Sequence, residues 1–358
     1  MKIGIVTQPL VANYGGILQN YALQQVLKEM GHDPVTLNYM PSLKFGRYLL
    51  YAGKALLCAP IPSKRHPIKP YRRYIKRPAV TDAFIRDNIH VTEIVPDYTR
   101  RLLRKNNIDA IILGSDQVWR YRYNAHYWDD MFLAFAKDYP CRKIAYAASF
   151  GLEDWDCPQE RMTEARELIK QFKAVSVREE TGAGICRKSL GVDAVTVLDP
   201  TLLLTASDYE GFCIDPVPSQ EPYLAAYVLD KSEEKSSFIE EFAKNKGLII
   251  KEMAVYKSGL TVEKWLSEIK NATFVITDSY HGSIFSIVFG KQFQTFINRG
   301  RGADRFMTLF KRLGLEDRLI DSSGPLTMLD TEIDYSSVSS KLQMLREDSL
   351  SFLKSALE

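Results

Sequence analysis

The chain has 358 residues, 46% of them hydrophobic and 25% charged, with a formal net charge of +3. That length suits two domains, and the composition excludes a disordered, collagenous or coiled-coil chain. The small net charge conceals a block: Pro41–Lys105 holds fifteen Lys+Arg against four Asp+Glu, and Lys44–Arg77 holds ten basic residues and no acid. A cationic block in an otherwise slightly acidic chain predicts an anionic partner: membrane, nucleic acid or phosphorylated substrate.

Ile3–Thr7 is a short apolar run that reads as a strand, and a turn-like segment, Asn13-Tyr14-Gly15-Gly16, follows it. Ile17–Met30 repeats apolar residues at helical spacing and stops at Gly31, and Val35–Tyr39 reads as the next strand. The basic block then interrupts the pattern. Strands are predicted at Ile108–Leu113, Lys143–Ala148, Ala174–Val177 and Val195–Leu198, with helices ending near Asn107 and spanning Glu160–Phe172 and Glu179–Leu190. After a polar, proline-containing stretch at 205–221, the alternation restarts. Strands are predicted at Tyr223–Leu229, Leu248–Met253, Thr273–Thr277 and Gln292–Ile297, and helices at Lys231–Asn245, Thr261–Lys270, Gly282–Phe289, Arg305–Leu313 and Tyr335–Leu357.

Alternating strands and helices predict an α/β fold of two Rossmann-like domains facing a cleft. The expected division is 1–210, with an insertion at about 41–101, then 220–330, then a C-terminal helix, 331–358, packing back on the first domain. Five cysteines, odd in number and without a CxxC pair, predict neither a disulfide framework nor a zinc site. The N-terminus lacks a long apolar core, so no signal peptide is expected, and Tyr48–Pro62 is shorter than the roughly 18 residues a membrane span needs. The expected location is cytoplasmic.

Ligands of open α/β sheets sit beyond the carboxyl ends of the strands, and four such places carry reactive side chains. Asn13, Tyr14, Gly15 and Gly16 could bring backbone N–H groups to an anion, or form a plain tight turn. In Gly114-Ser115-Asp116-Gln117, Asp116 could serve as a base or hold a sugar hydroxyl, or cap a helix. Arg178 ends a strand where it could grip a carboxylate or phosphate, or pair with a neighbouring Glu. In Asp278-Ser279-Tyr280-His281-Gly282-Ser283, Asp278 or Ser279 could cap the helix, while His281, in its first turn, could donate to a phosphate or supply a proton. No metal site is predicted, since His and carboxylates do not recur at ligand spacing.

Taken together and in order, Asn13–Gly16, Gly114–Trp119, Ala145–Gly151, Ser176–Glu179, Val197–Leu204 and Thr277–Ser286 resemble the motifs of the polysaccharide pyruvyl transferase family. The resemblance runs from about Ile3 to Leu315. It implies a fold similar to the glycosyltransferase type B architecture, and transfer of pyruvate from phosphoenolpyruvate to a sugar diol as a cyclic ketal in cell-surface glycan synthesis. It implies no cofactor beyond that donor. It makes His281 the family's catalytic or phosphate-contacting His and Arg178 a donor-site cation, with Asp116 as a base and Asp278 orienting His281 or capping. Family members carry Arg two residues before this His; here the position is Ser279, so either Arg299, Arg301 or Arg305 supplies the charge or the donor differs. Two rival readings remain: a glycosyltransferase using a nucleotide sugar, and an inactive glycan-binding member.

Residues 45–77 combine large apolar side chains with Lys and Arg. One reading is an interfacial segment contacting the inner face of a membrane near a lipid-linked carbohydrate acceptor. The other is an insertion folded onto the core with a solvated basic face. No nucleic-acid module surrounds the block, so no nucleic-acid partner is expected.

Overall fold

Short runs buried on both faces, such as Ala110–Leu113 and Phe274–Thr277, can only be central strands covered by helices on either side. A computed structural model describes residues 1–40, 53, 77–213, 221–253, 259–297, 302–321, 326, 328–329 and 331–358. Its first sheet contains β1 (Lys2–Val6), β2 (Asp33–Thr36), β3 (Ala110–Leu113), β4 (Arg142–Ala148), β5 (Ala174–Val177) and β6 (Val195–Thr196). The second contains β7 (Tyr223–Tyr227), β8 (Ile249–Glu252), β9 (Phe274–Thr277), β10 (Gln292–Ile297) and β11 (Leu319–Asp321). Their spatial orders are β2-β1-β3-β4-β5-β6 and β11-β10-β9-β7-β8, and neighbours pair in parallel. The chain therefore has the expected α/β architecture of two Rossmann-like sheets.

The order of strands fixes where a site can form. Each sheet reverses its winding once: between β1 and β3 in the first, and between β7 and β9 in the second. Loops leaving the two strands at such a point diverge and open a crevice.

The helices of nine or more residues among the described residues are α1 (Tyr14–Glu29), α2 (Ala79–Asn88), α3 (Gln159–Ile169), α4 (Glu233–Lys246), α5 (Val262–Lys270), α6 (Tyr280–Val288), α7 (Asp304–Leu313) and α8 (Tyr335–Leu357). One apolar core runs through both halves of the molecule. It joins Ile17 and Leu18 of α1 to Trp265 of α5 and Phe285 of α6. Helix α8 spans the halves: Ser349 Oγ accepts from Leu198 N at 3.0 Å, Arg346 donates to Leu202 O at 2.9 Å, and the Tyr335 hydroxyl donates to Lys291 O at 2.5 Å.

Two helix starts differ from the sequence reading. Helix α1 begins at Tyr14, so the predicted Asn13–Gly16 turn is an N-cap and a first helical turn. Tertiary contacts outweigh the poor helix propensity of two glycines. Helix α6 begins at Tyr280 because Ser279 caps it, accepting from Gly282 N at 3.4 Å. Helix α2 and β11 were not anticipated. The first buries Thr81, Phe84 and Ile85, too narrow a face to show a period, and the second has three residues, too few for a pattern. The predicted domain boundary includes 214–220, which lie outside the described residues. So does nearly all of the 45–77 segment, Gly53 and Arg77 being described. Arg77 turns inward, donating to Leu10 O at 2.7 Å and Asn38 Oδ1 at 2.5 Å, so it does not belong to a solvated basic face.

Candidate active site

The two switch points face one another across a cleft of about 750 Å³. Gln8, Asn13 and Tyr14 reach it after β1, and Asp116, Gln117 and Tyr123 after β3. Leu229 and Lys231 reach it after β7, Asp278, Ser279, Tyr280 and His281 after β9, and Arg305 from α7.

The first turn of α1 is the wedge between the halves. A Cβ on Gly15 would overlap the His281 ring, so the helix backbone lies directly against the imidazole. On the next residue, Gly16, a Cβ would stand 3.6 Å from Asp116 Oδ2. His281 of the second half and Asp116 of the first thus flank one helix N-terminus. Asn13, at the N-cap position, makes no capping bond; its Nδ2 donates to Asp116 Oδ2 at 3.3 Å. The dipole of α1 favours an anion at this first turn. The Tyr14 hydroxyl donates to Leu260 O and ties this turn to the second half.

Asp116 is buried and has φ +81°, an unusual conformation for a non-glycine residue. Backbone strain of this kind collects at functional sites. Its Oδ1 accepts from Gln117 N at 2.8 Å. The preceding Gly114 has φ +123°, and a Cβ there would collide with Tyr146 O, so glycine is required to aim the loop. Ser115 and Gln117 serve the loop itself: Ser115 O accepts from Thr7, and Gln117 Oε1 accepts from Arg120 at 2.8 Å.

Of two arginines near the cleft, Arg305 lines it and Arg178 is buried beside it. Arg178 and Arg305 both lie over the Tyr280 ring, with guanidinium carbons 5.2 and 4.9 Å from its centroid. Arg178 is 3% exposed, pairs with Asp199 Oδ2 at 3.3 Å, and has three nitrogens without a hydrogen-bond acceptor. Burial works against its charge, but Asp199, Tyr280, Asp116 and Glu179 together outweigh burial and the pKa rises. Arg305 is lowered by burial and then by the neighbouring Arg178 charge. Burial raises the Tyr280 hydroxyl, which stays neutral.

His281 is 7% exposed, and its Nε2 lies 3.6 Å from Asp199 Oδ2. Burial alone would push the Asp199 carboxyl up. Arg178, His281 and Thr201 together override it and hold the group well below the usual carboxylate range. Asp199 lies within the Val197–Leu204 motif but was given no role there; the signal available was an Asp directly after a strand.

Asp278 requires a correction. Its carboxylate accepts from Leu229 N at 2.6 Å, Asp230 N at 3.0 Å and Lys235 Nζ at 2.8 Å. It fixes the loop after β7; Ser279 caps α6, and the carboxylate beside His281 is Asp199. Gly282 and Ser283 are also set back from the cleft. Gly282 packs on Thr277, and Ser283 Oγ shares a 2.8 Å hydrogen bond with Thr295 Oγ1. Arg299 and Arg301 lie outside the described residues, so Arg305 is the one of the three described at the cleft. Among the described residues, no group of three or more His, Cys, Asp or Glu side chains is placed to hold a metal ion.

Two doubly wound parallel sheets whose switch points meet over one cleft define an α/β protein with two Rossmann-like halves. The chain belongs to the polysaccharide pyruvyl transferase family, whose model matches residues 13–298. No curated protein matches the sequence. Among solved structures, the chain is similar to Staphylococcus aureus MnaA with UDP, at TM-score 0.49 and 9% identity, covering 96% of this chain and 87% of that one. It is also similar to UDP-GlcNAc 2-epimerase from Methanocaldococcus jannaschii, at TM-score 0.47 and 11% identity, covering 97% and 93%. An alpha-glucosyltransferase in complex with UDP gives TM-score 0.47 and 8% identity, covering 99% and 95%.

Proposed function

We propose that the protein moves the pyruvyl group of phosphoenolpyruvate onto two hydroxyls of a sugar, giving a cyclic ketal and inorganic phosphate during synthesis of a cell-surface glycan. The observation that carries this reading is the meeting of Arg305 and His281 in the cleft, with Arg178 against the same Tyr280 ring, beside the first turn of α1. Phosphoenolpyruvate bears a carboxylate and a phosphate about one small molecule's width apart. Two guanidinium groups and a helix N-terminus answer both charges.

The reaction adds a proton to the methylene carbon, leaving an oxocarbenium-like centre at the adjacent carbon. One sugar hydroxyl attacks that centre and gives up its proton, for which Asp116 is the base. The carbon–oxygen bond to phosphate then breaks, with a proton reaching the leaving oxygen, and the second hydroxyl closes the ketal. His281 acts as general acid, or as donor to the phosphate. Arg178 stabilises the donor's charge from its place against the Tyr280 ring, and Arg305 takes over the cationic role that Ser279 cannot fill. No catalytic step is given to Asp278.

The acceptor is proposed to be carbohydrate on a lipid carrier, because ten basic residues and no acid fall between Lys44 and Arg77 beside large apolar side chains. No described helix is long and apolar enough to cross a membrane, so the contact is proposed as peripheral. Sedimentation with anionic vesicles tests this part. Deletion of 45–76, sparing Arg77, is expected to abolish binding, and undiminished binding would remove the idea.

The reaction is tested by incubating the protein with phosphoenolpyruvate and a panel of sugars, following phosphate release and the mass of the pyruvylated product. Turnover by wild type and its loss in His281→Ala are expected. Near wild-type turnover by His281→Ala would remove the residue from the mechanism.

A further inference from the structure

We propose that Asp199 is a positioning residue that holds the His281 ring with Nε2–H toward its carboxylate, leaving Nδ1 as the nitrogen that exchanges a proton with the substrate. The proposal deepens the reading of the cleft given above and rests on it for the identity of the substrate.

Three elements hold the Asp199 carboxylate. Oδ2 accepts from Gln19 Nε2 of α1 at 2.5 Å, and Oδ1 accepts from Thr201 N at 3.0 Å and Thr201 Oγ1 at 2.6 Å. Arg178, after β5, stands 3.3 Å from Oδ2. A carboxylate tied on so many sides, with a fully buried side chain, cannot turn away from its neighbours. His281 Nε2 is buried, has no hydrogen-bond partner, and faces this carboxylate at 3.6 Å. Catalytic hydrogen bonds are often long without ligand and shorten when substrate is bound.

The other ring nitrogen, Nδ1, is the atom nearest the position a Gly15 Cβ would take, at the first turn of α1. The remaining titratable neighbours of the pair do not compete. Tyr146 donates to Leu198 O and Tyr209 to Thr201 O, both at 3.0 Å, and burial raises both hydroxyls and that of Tyr280, so all stay neutral. With Nε2–H directed at Asp199, a neutral ring offers Nδ1 as an acceptor and an imidazolium offers Nδ1–H as a donor. The proton leaving Nδ1 goes to the substrate. One of the two protons released by the attacking hydroxyls replaces it, so the ring ends as it began.

Nitrogen-15 correlation spectra of the histidine rings in the full-length protein, without substrate, test this directly; His281→Gln identifies the signal. Wild type is expected to hold neutral His281 as the Nε2–H tautomer. In Asp199→Asn the amide oxygen keeps the Thr201 donors, the NH2 takes the Oδ2 place facing Nε2 with the Gln19 amide turned over to accept from it, and the proton on His281 moves to Nδ1. Turnover with phosphoenolpyruvate should then fall in kcat by about 100-fold or more, with KM changed less than about threefold. Thr201→Val, which leaves the carboxylate in place, should keep the wild-type tautomer. An Nδ1–H tautomer in wild type, or an unchanged tautomer in Asp199→Asn, would overturn the proposal, since a counter-ion serving Arg178 alone would affect stability and not the tautomer. If Asp199→Asn does not fold, the wild-type spectrum alone decides. The expected tautomer in a protein that does not turn over phosphoenolpyruvate would uphold the positioning role and reject the substrate.

Discussion

Gly15 shows how one missing side chain can hold a site together. Alanine there would favour helix α1 by up to about 1 kcal/mol of intrinsic propensity, yet its methyl would drive into the His281 ring. Gly15→Ala is expected to remain folded and to lose about 100-fold in kcat/KM, the scale set by displacing a reacting group by an ångström. Activity and thermal melting measured together would check it. Asp278 gives the opposite outcome. It is the buried partner of Lys235, and breaking such a pair costs about 3–5 kcal/mol. Urea unfolding should show that loss in Asp278→Ala, with part of it restored in the Asp278→Ala, Lys235→Met double variant. Residue type and position after a strand singled out Asp116, Arg178 and His281 in the sequence, and the cleft is lined by Asp116 and His281 but not by Arg178. The same signals overvalued Asp278 and undervalued Asp199, because which carboxylate meets a histidine depends on contacts between sequence-distant loops.

At the scale of elements, helix α7 brings charge to the seam between the halves. Asp304, 7% exposed at its start, has its pKa raised to about 6 by burial and then by repulsion from Glu153 and Glu179 of the first half. A carboxyl raised in the folded state contributes stability that is complete below its unfolded value and is lost as pH rises through about 6. Asp304→Asn should therefore be more stable than wild type at pH 8, by about 1 kcal/mol after solvent screening, and gain nothing at pH 4. Urea unfolding at the two pH values would check the sign. Most strands and helices were legible from periodicity, and Gln292–Ile297 and Tyr335–Leu357 match to the residue. The start of α1 was not, because two glycines in a first turn read as a loop until the imidazole packed against them is known. Helix α2 was hidden because its buried side is narrow: Thr81, Phe84 and Ile85 are its buried residues, too few to show a helical period.

Over the whole molecule, the two sheets work as one body because a shared core and α8 join them behind the cleft. Leu353 of that helix is fully buried. Leu353→Ala is expected to cost about 2–5 kcal/mol in a single cooperative transition, whereas two separate transitions would mean that the halves are independent. That joint core holds both switch points over one cleft, and the cationic block seen first in the sequence is a separate matter from the arginines beside it. The account stands most directly on the donor that this cleft accepts. Isothermal titration of wild type and Arg305→Ala with phosphoenolpyruvate, and of wild type with UDP, measures it without knowledge of the acceptor. Phosphoenolpyruvate is expected to bind wild type, to bind Arg305→Ala at least about tenfold more weakly, and to outbind UDP. Binding of UDP with no heat from phosphoenolpyruvate would contradict the account and favour a nucleotide-sugar enzyme.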